Sequence, residues 1–430
     1  MSASAGTSMT AAVGSRARLG HEKRQLTAFF IGRIAGDFGD MLVPVALVAA
    51  AVHFGGAQAL GWILAFRAFP SVASALLGGA WADGRDPRRL MIFSDVVRLG
   101  AQVTMAILLA VDVGLLWPAL IAQAMYGAAS GMFGPAAGVL LPALVPESEL
   151  QRTNARLSVL RSSARILGPV VAAGVLAGAD VWILFAADAL TFAVSAVALL
   201  VVTRQDRGHV VASGRLALTQ TLRDIASGVR AARRASWLLV CIGYFAAFQF
   251  FAVAPLFVLG PFLISDEGSE SAAWGAFLTA GGIGWVLGGL VAGRLRPRRP
   301  LVMCLWLSLL DGAQLIALAL GAPVPILLGV GAAAGAVAAI WDIMWVTAVQ
   351  THVERRFLGR VWALDEFGSA IAAPVAFAAI GLAATAMDAA SLAWIAGALA
   401  TVATVVAVSF PAVRNVGGSP HQRTPLKTTK

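Results

Sequence analysis

Chemistry in this chain has to come from ionisable side chains set inside long apolar runs. A carboxylate or guanidinium in hydrocarbon costs a few kcal/mol, so each one needs a reason to be there. Asp37 and Asp40 stand in the run that begins near Gln25. At about 1.5 Å per residue, Asp37 lies roughly 18 Å along that run, near its middle. Asp40 follows at i+3 on the same face, and Arg33 precedes Asp37 by one turn. Arg67 lies midway through the next run. Two neighbouring carboxylates in a poorly solvated cavity are suited to binding a proton, and an arginine beside them is a partner that can be made or released. The same residues can instead form a permanent ion pair that only stabilises the bundle. The spacing leaves both readings open.

Asp311 and Asp342 are the other deep acids, and Asp342 is flanked by Trp341 and Trp345. An acid beside aromatic rings in an apolar cavity suits a cationic amphiphile, by charge attraction and contact with ring faces. A hydrogen-bonded packing carboxylate is the alternative for each. Asp95 and Arg98 lie toward the start of the third run, Asp188 reads as a structural hydrogen-bonding residue, and Asp365 and Glu366 lie about one turn into the eleventh. Gly281-Gly282-Ile283-Gly284 sits inside an apolar run, where glycines permit close helix packing and do not cradle phosphate. The chain has no phosphate-binding loop that would make it ATP-driven. Its acids are isolated, without the clustering near one interface that an enzyme would need. Five scattered histidines and two cysteines, Cys241 and Cys304, offer neither a metal site nor a disulfide framework, and no cofactor is expected.

The elements that must hold these residues follow from composition. Of 430 residues, 59% are hydrophobic and 13% charged. The mean hydropathy is +0.81. That is about half the charge of an ordinary soluble protein, too little to cover a soluble surface. Apolar runs give twelve spans, near 25–52, 58–80, 90–111, 115–138, 158–178, 182–202, 236–262, 273–293, 301–320, 325–349, 361–384 and 390–411. The expectation is an all-α membrane protein in the lipid bilayer of a bacterial inner membrane. The net charge of +10 does not mark a nucleic-acid partner. Its basic residues are spread over the loops on one side of the spans, which by the positive-inside rule is the cytoplasm, with both termini there. Arg161 and Arg165 are expected to snorkel to that surface from the first turns of span 5.

This divides the chain into an N-tail (1–24), a six-helix half (25–203), a linker (204–235), a second six-helix half (236–413) and a C-tail (414–430). In the linker Leu218, Leu222, Ile225 and Val229 fall at helical spacing, away from Arg223, Arg230 and Arg234. This is the pattern of an amphipathic helix on the membrane surface, or of a plain solvated linker. The halves repeat. Gly78-Gly79-Ala80-Trp81-Ala82-Asp83-Gly84-Arg85-Asp86-Pro87-Arg88-Arg89 matches Gly288-Gly289-Leu290-Val291-Ala292-Gly293-Arg294-Leu295-Arg296-Pro297-Arg298-Arg299 at its glycine pair, alanine, proline and final arginine pair. Gly168-Pro169 likewise has a counterpart in Ala373-Pro374. Two parallel six-helix repeats are indicated.

At these residues the chain resembles the major facilitator superfamily. The family's loop signature is represented here by Gly79, Asp83, Arg88 and Arg89, with Gly84 in place of an arginine and Pro87 interrupting the basic run. A narrower resemblance is to the drug:proton antiporter branch that includes macrolide-efflux and siderophore-export proteins. It rests on Gly36-Asp37-Phe38-Gly39-Asp40, Ser94-Asp95 with Arg98, Pro135-Ala136 through Leu144-Val145-Pro146, Asn154-Ala155, Gly168-Pro169 and Leu358-Gly359-Arg360-Val361. The resemblance implies alternating access between two rocking halves. It also implies that Asp83 and its basic partners latch the inner faces, with Asp95 and Arg98 beside them. The function expected is secondary active transport: proton-driven efflux of hydrophobic or amphiphilic small molecules, drug-, macrolide- or siderophore-like, by a monomer. An importer or facilitator of the same fold is the alternative.

Overall fold

The computed structural model describes residues 4–84, 86–203, 236–264, 270–353 and 358–417, and the side chains of most of them from Arg24 onward. The linker, with its apolar stripe, and most of the C-tail lie outside these residues. All regular structure among the described residues is helical. Six helices build the first half: α1 (Ser4–Phe54), α2 (Gly56–Gly84), α3 (Pro87–Ala110), α4 (Leu116–Leu144), α5 (Glu147–Leu176) and α6 (Trp182–Val201). The second half opens with α7 (Ser236–Phe248), a π-helical turn (Gln249–Val253) and α8 (Ala254–Leu263), which together make one pass. Then come α9 (Glu270–Ala292), α10 (Pro300–Leu307) and α11 (Leu309–Ala319), α12 (Val324–His352), α13 (Leu358–Ala383), α14 (Ala389–Ser409) and the short α15 (Pro411–Arg414). Ten of these passes are long and apolar enough to cross a membrane. The 29-residue α2 and the 26-residue α13 have the length for the remaining two.

Local chemistry sets several boundaries. Asp86 caps α3, its carboxylate accepting the Arg88 backbone N–H at 3.1 Å, with Pro87 in the first turn. Pro135 and Pro142 lie inside α4, which continues to Leu144, beyond the expected end near 138. Helix α5 starts at Glu147, well before the expected 158, because its first turns are polar and carry no hydropathy signal. The ninth span breaks at Ser308, whose backbone N–H and hydroxyl both turn back to the Cys304 carbonyl, at 2.9 and 3.1 Å.

The packing repeats with the sequence. Helix α2 packs on α4, as α9 packs on α12. Helix α1 packs on α5 and α6, as α7 packs on α13 and α14. The halves meet along two equivalent seams, α2 against α13 and α5 against α9. A shift of six passes maps one seam onto the other, so the two six-helix units are related as the repeat requires.

The two ends of the molecule differ. At the far end, where α1 turns into α2, one core runs through both halves, joining Leu42–Phe54, Leu60, Ile63 and Phe185 to Trp274, Phe277, Leu318 and Leu327. At the near end, where α2 turns into α3, each half has its own core. Phe29, Met91 and Leu140 belong to one, and Leu301, Trp345 and Val349 to the other. The far end is therefore sealed, whereas at the near end the described residues form no core shared by the halves. At the seal a Cβ on Gly61 would lie 2.5 Å from Gly381 Cα, so only glycine lets α2 and α13 approach this closely. Large apolar side chains such as Trp117 and Leu320 stand 71% and 72% exposed on the outer surface, as a bilayer-facing rim requires.

Candidate functional site

Helix α1 positions the site. Gly32 and Gly39 let it lie close to α6, where an added Cβ would meet Ser195 or Asp188 and Thr191. Arg33, Asp37 and Asp40 then line a cavity of about 140 Å³, together with Gly36 and, from other helices, Arg98, Ser130 and Phe133. One carboxylate oxygen of Asp37 accepts from two arginines, each at 3.0 Å: Arg33 one turn back on α1 and Arg161 on α5. Asp40 accepts from the Tyr126 hydroxyl of α4 and lies 4.0 Å from both Arg67 and Arg98.

A second tier supports these groups. Arg98 pairs with Asp95 one turn back, and its guanidinium lies 4.3 Å from the ring centres of both Phe133 and Phe192. Arg67 lies 3.8 Å over the Tyr126 ring and donates to Gln123 at 3.2 Å. Gln123 donates to Gln102 at 3.3 Å, and Gln102 donates to Asp188, which is wholly buried. Four guanidiniums thus stand among four carboxyl groups, so this partly buried charge lattice is balanced when all are ionised. A proton taken up on any one carboxylate leaves it one charge positive.

The expected residues are distributed unevenly over this arrangement. Arg33, Arg67, Asp37 and Asp40 gather as anticipated. Arg98 lies deeper than expected, against Asp40, and away from a surface latch. Arg161, its side chain 52% exposed, turns toward the cavity. With α5 beginning at Glu147 it sits some 21 Å along the helix and reaches Asp37. Arg88 donates to the Leu199 and Leu200 carbonyls at 2.8 and 2.9 Å, holding the end of α6 within its own half. Arg89 lies 3.8 Å from Asp86. Asp83 is in the last turn of α2, and its side chain lies outside the described residues. The sequence reading missed Tyr126, Gln102 and Gln123. Each is a polar side chain deep in an apolar run, and that is the signal that could have found them.

The second half does not bring its candidates together. Trp341 and Trp345 are buried in an aromatic cluster with Trp237, Tyr244 and Phe245, and Trp345 donates to Asp365 at 2.9 Å. Asp342, one residue round the helix from Trp341, is exposed. Asp311 is partly buried in α11, just past the break at Ser308. Cys241 and Cys304 are buried and free, and no three metal-ligating side chains gather among the described residues.

A sequence profile of the family described as Major Facilitator Superfamily matches residues 29–321. The uncharacterised MFS-type transporter YfiS of Bacillus subtilis (strain 168) is 25% identical over 363 residues, covering 81% of this chain and 83% of its own. Its compatriot YvqJ is 22% identical over 404 residues, covering 90% and 92%. Among solved structures, the nucleoside transporter NupG superposes with a TM-score of 0.70 at 11% identity, covering 90% of this chain and 98% of its own. A peptide transporter of the POT type gives 0.68 at 13%, covering 91% and 95%. These structural likenesses concern the fold.

Proposed function

The chain belongs to the major facilitator superfamily of secondary transporters, and from that premise we propose that it exports hydrophobic or amphiphilic small molecules in exchange for protons. The observation that carries the reading is the Asp37 carboxylate, shared between Arg33 and Arg161 at 3.0 Å each and lining a cavity. Protonation of Asp37 removes the charge that ties α5 to α1. Helix α5 is also one side of a seam between the halves. A proton on Asp37 thereby loosens a helix that the other half leans on, which is how a protonation event would bias the rocking. Asp40, held by Tyr126 between Arg67 and Arg98, is the second carrier of the pair.

If the basic loops face the cytoplasm, both termini lie inside and the near end opens inward, the state in which an exporter loads its cargo and an importer releases it. The protein would work as a monomer in a bacterial inner membrane, since both seams of the transport path lie within one chain. The resemblance to the macrolide- and siderophore-exporting branch favours cargo of that size and apolarity. Asp311 and Asp342 are the acids available to it in the second half.

One observation favours a facilitator or importer instead. Every deep carboxylate of the first half already has a partner, as a purely structural lattice would. Acidified inverted vesicles with a pH-sensitive dye separate the two. Substrate-dependent proton release on adding lipophilic cations, macrolides or siderophores is expected. Movement of labelled substrate without proton release would establish the facilitator.

A further inference from the structure

We propose that Trp285 and Asp342 form the binding site for the charged group of an organic monocation with an apolar body, and that Arg165 occupies this site when no substrate is bound. The inference starts from the seam between α5 and α9. Reading toward the near end, a Cβ on Gly275 would meet Ala173 and the Pro169 carbonyl at 2.9 and 3.1 Å. One on Gly282 would meet Ile166 and the Arg165 carbonyl at 3.2 and 3.3 Å. The Arg165 guanidinium then lies over the Trp285 ring, 4.5 Å from its centre. Beyond this level the halves have separate cores. Arg165 and Trp285 therefore meet where the core shared by the halves gives way to the separate cores of the near end.

The way Arg165 is held sets it apart. Arg33, Arg67, Arg98 and Arg161 each pair with an aspartate within 4.0 Å. Arg165 makes no such pair among the described residues. The ring of Trp285 and the charge of Asp342 act on it from the opposite half. Both Arg165 and Asp342 are exposed, and Trp285 is partly so. A tryptophan face with a carboxylate charge acting at the same place is an arrangement that recognises an organic cation. Here the protein's own guanidinium satisfies it. Because no hydrogen-bonded ion pair among the described residues holds that guanidinium, a substrate cation can displace it into the opening at small cost. One positive charge replaces another, so the site suits a monocation and disfavours a dication.

This rests on the reading of the chain as a transporter of amphiphiles for the class of occupant alone, and the test needs no gradient. Equilibrium binding of labelled tetraphenylphosphonium to the purified full chain in detergent is compared across variants. Removing the internal competitor in Arg165→Ala and Arg165→Gln tightens binding roughly fivefold to tenfold, and Trp285→Ala and Asp342→Asn each weaken it by a similar factor. Asp342→Asn leaves the affinity for a neutral triarylphosphine oxide unchanged. Binding that is unchanged or weaker in both Arg165 variants overturns the proposal, as does the absence of tetraphenylphosphonium binding. Binding as predicted with no proton release in vesicles sinks the antiport reading and leaves the site standing. Proton release with other cargo, in a protein that binds no phosphonium, sinks the site alone.

Discussion

Between α1, α2, α3, α4 and α6 the first half encloses arginines, aspartates and glutamines bonded to one another. The corresponding space in the second half encloses Trp237, Tyr244, Phe245, Trp341 and Trp345, with hydrogen bonds leaving the cluster from Trp345 to Asp365 and between Tyr244 and Thr404. The helix packing is the same. Helix regularity is not, because the second half carries the π-helical turn at Gln249–Val253 and the break at Ser308, and the first half has neither. A charge lattice is stable only while every partner stays in register, and continuous helices provide that rigidity. An aromatic cluster has no such demand and tolerates irregular helices. One architecture has thus been filled in two ways. In the proposed function the first filling takes the proton and the second half takes the cargo.

Matched substitutions sharpen or break this comparison. The largest effect belongs to Arg98, almost wholly buried against Asp95, which is wholly buried. Arg98→Ala leaves that carboxylate unpaired and costs about 3–5 kcal/mol. Its counterpart 210 residues on is Ser308, and Ser308→Ala costs only about 1 kcal/mol. Thermal melting in detergent reads both, and equal losses would erase the distinction between the halves. The chain's two tyrosines give the next pair, one in each half. Tyr126→Phe removes a hydrogen bond to a carboxylate and costs about 1.5–3 kcal/mol, whereas Tyr244→Phe removes a bond with the Thr404 hydroxyl and costs about 0.5–1.5 kcal/mol.

The smallest effect lies outside the bundle. The Ser391 backbone N–H donates to Asp388 at 2.8 Å at the start of α14 and holds this exposed carboxyl below its ordinary value. A lowered folded-state value stabilises above the unfolded value, about 3.9, and that contribution is lost as pH falls through the lowered one. Asp388→Asn keeps an acceptor without the titration. Melting curves of the two proteins should therefore run parallel near neutral pH and converge only under strong acid.

Much of this was legible in the residues. The cost of burying charge singles out Arg33, Asp37, Asp40 and Arg67 in any apolar run, and glycine, proline and arginine matches at one offset reveal the repeat. Partner choice was not legible, because it depends on where helices begin. The polar first turns of α5 hid its start, although Pro146-Glu147-Ser148-Glu149 is the proline-and-acid signature of a helix N-terminus. Counting from there puts Arg161 deep enough to reach Asp37. The second half misled in the opposite way. Asp342 between Trp341 and Trp345 looks like one site along the sequence, but i,i+4 spacing puts the tryptophans on one face and the aspartate off it. The aromatic ring that shares Arg165 with Asp342, that of Trp285, meets this arginine in a contact between halves that no local pattern encodes.

The central claim is that the proton belongs to the first half and the cargo to the second. Vesicles containing Asp37→Asn, Asp40→Asn, with matched expression, test it most directly when substrate-triggered proton release and substrate binding are measured side by side. The account predicts that proton release is lost while binding persists, and that Asp342→Asn does the reverse, weakening binding while whatever substrate still binds continues to release protons. Proton release that survives in the double variant would contradict it and place the coupling carboxylate elsewhere.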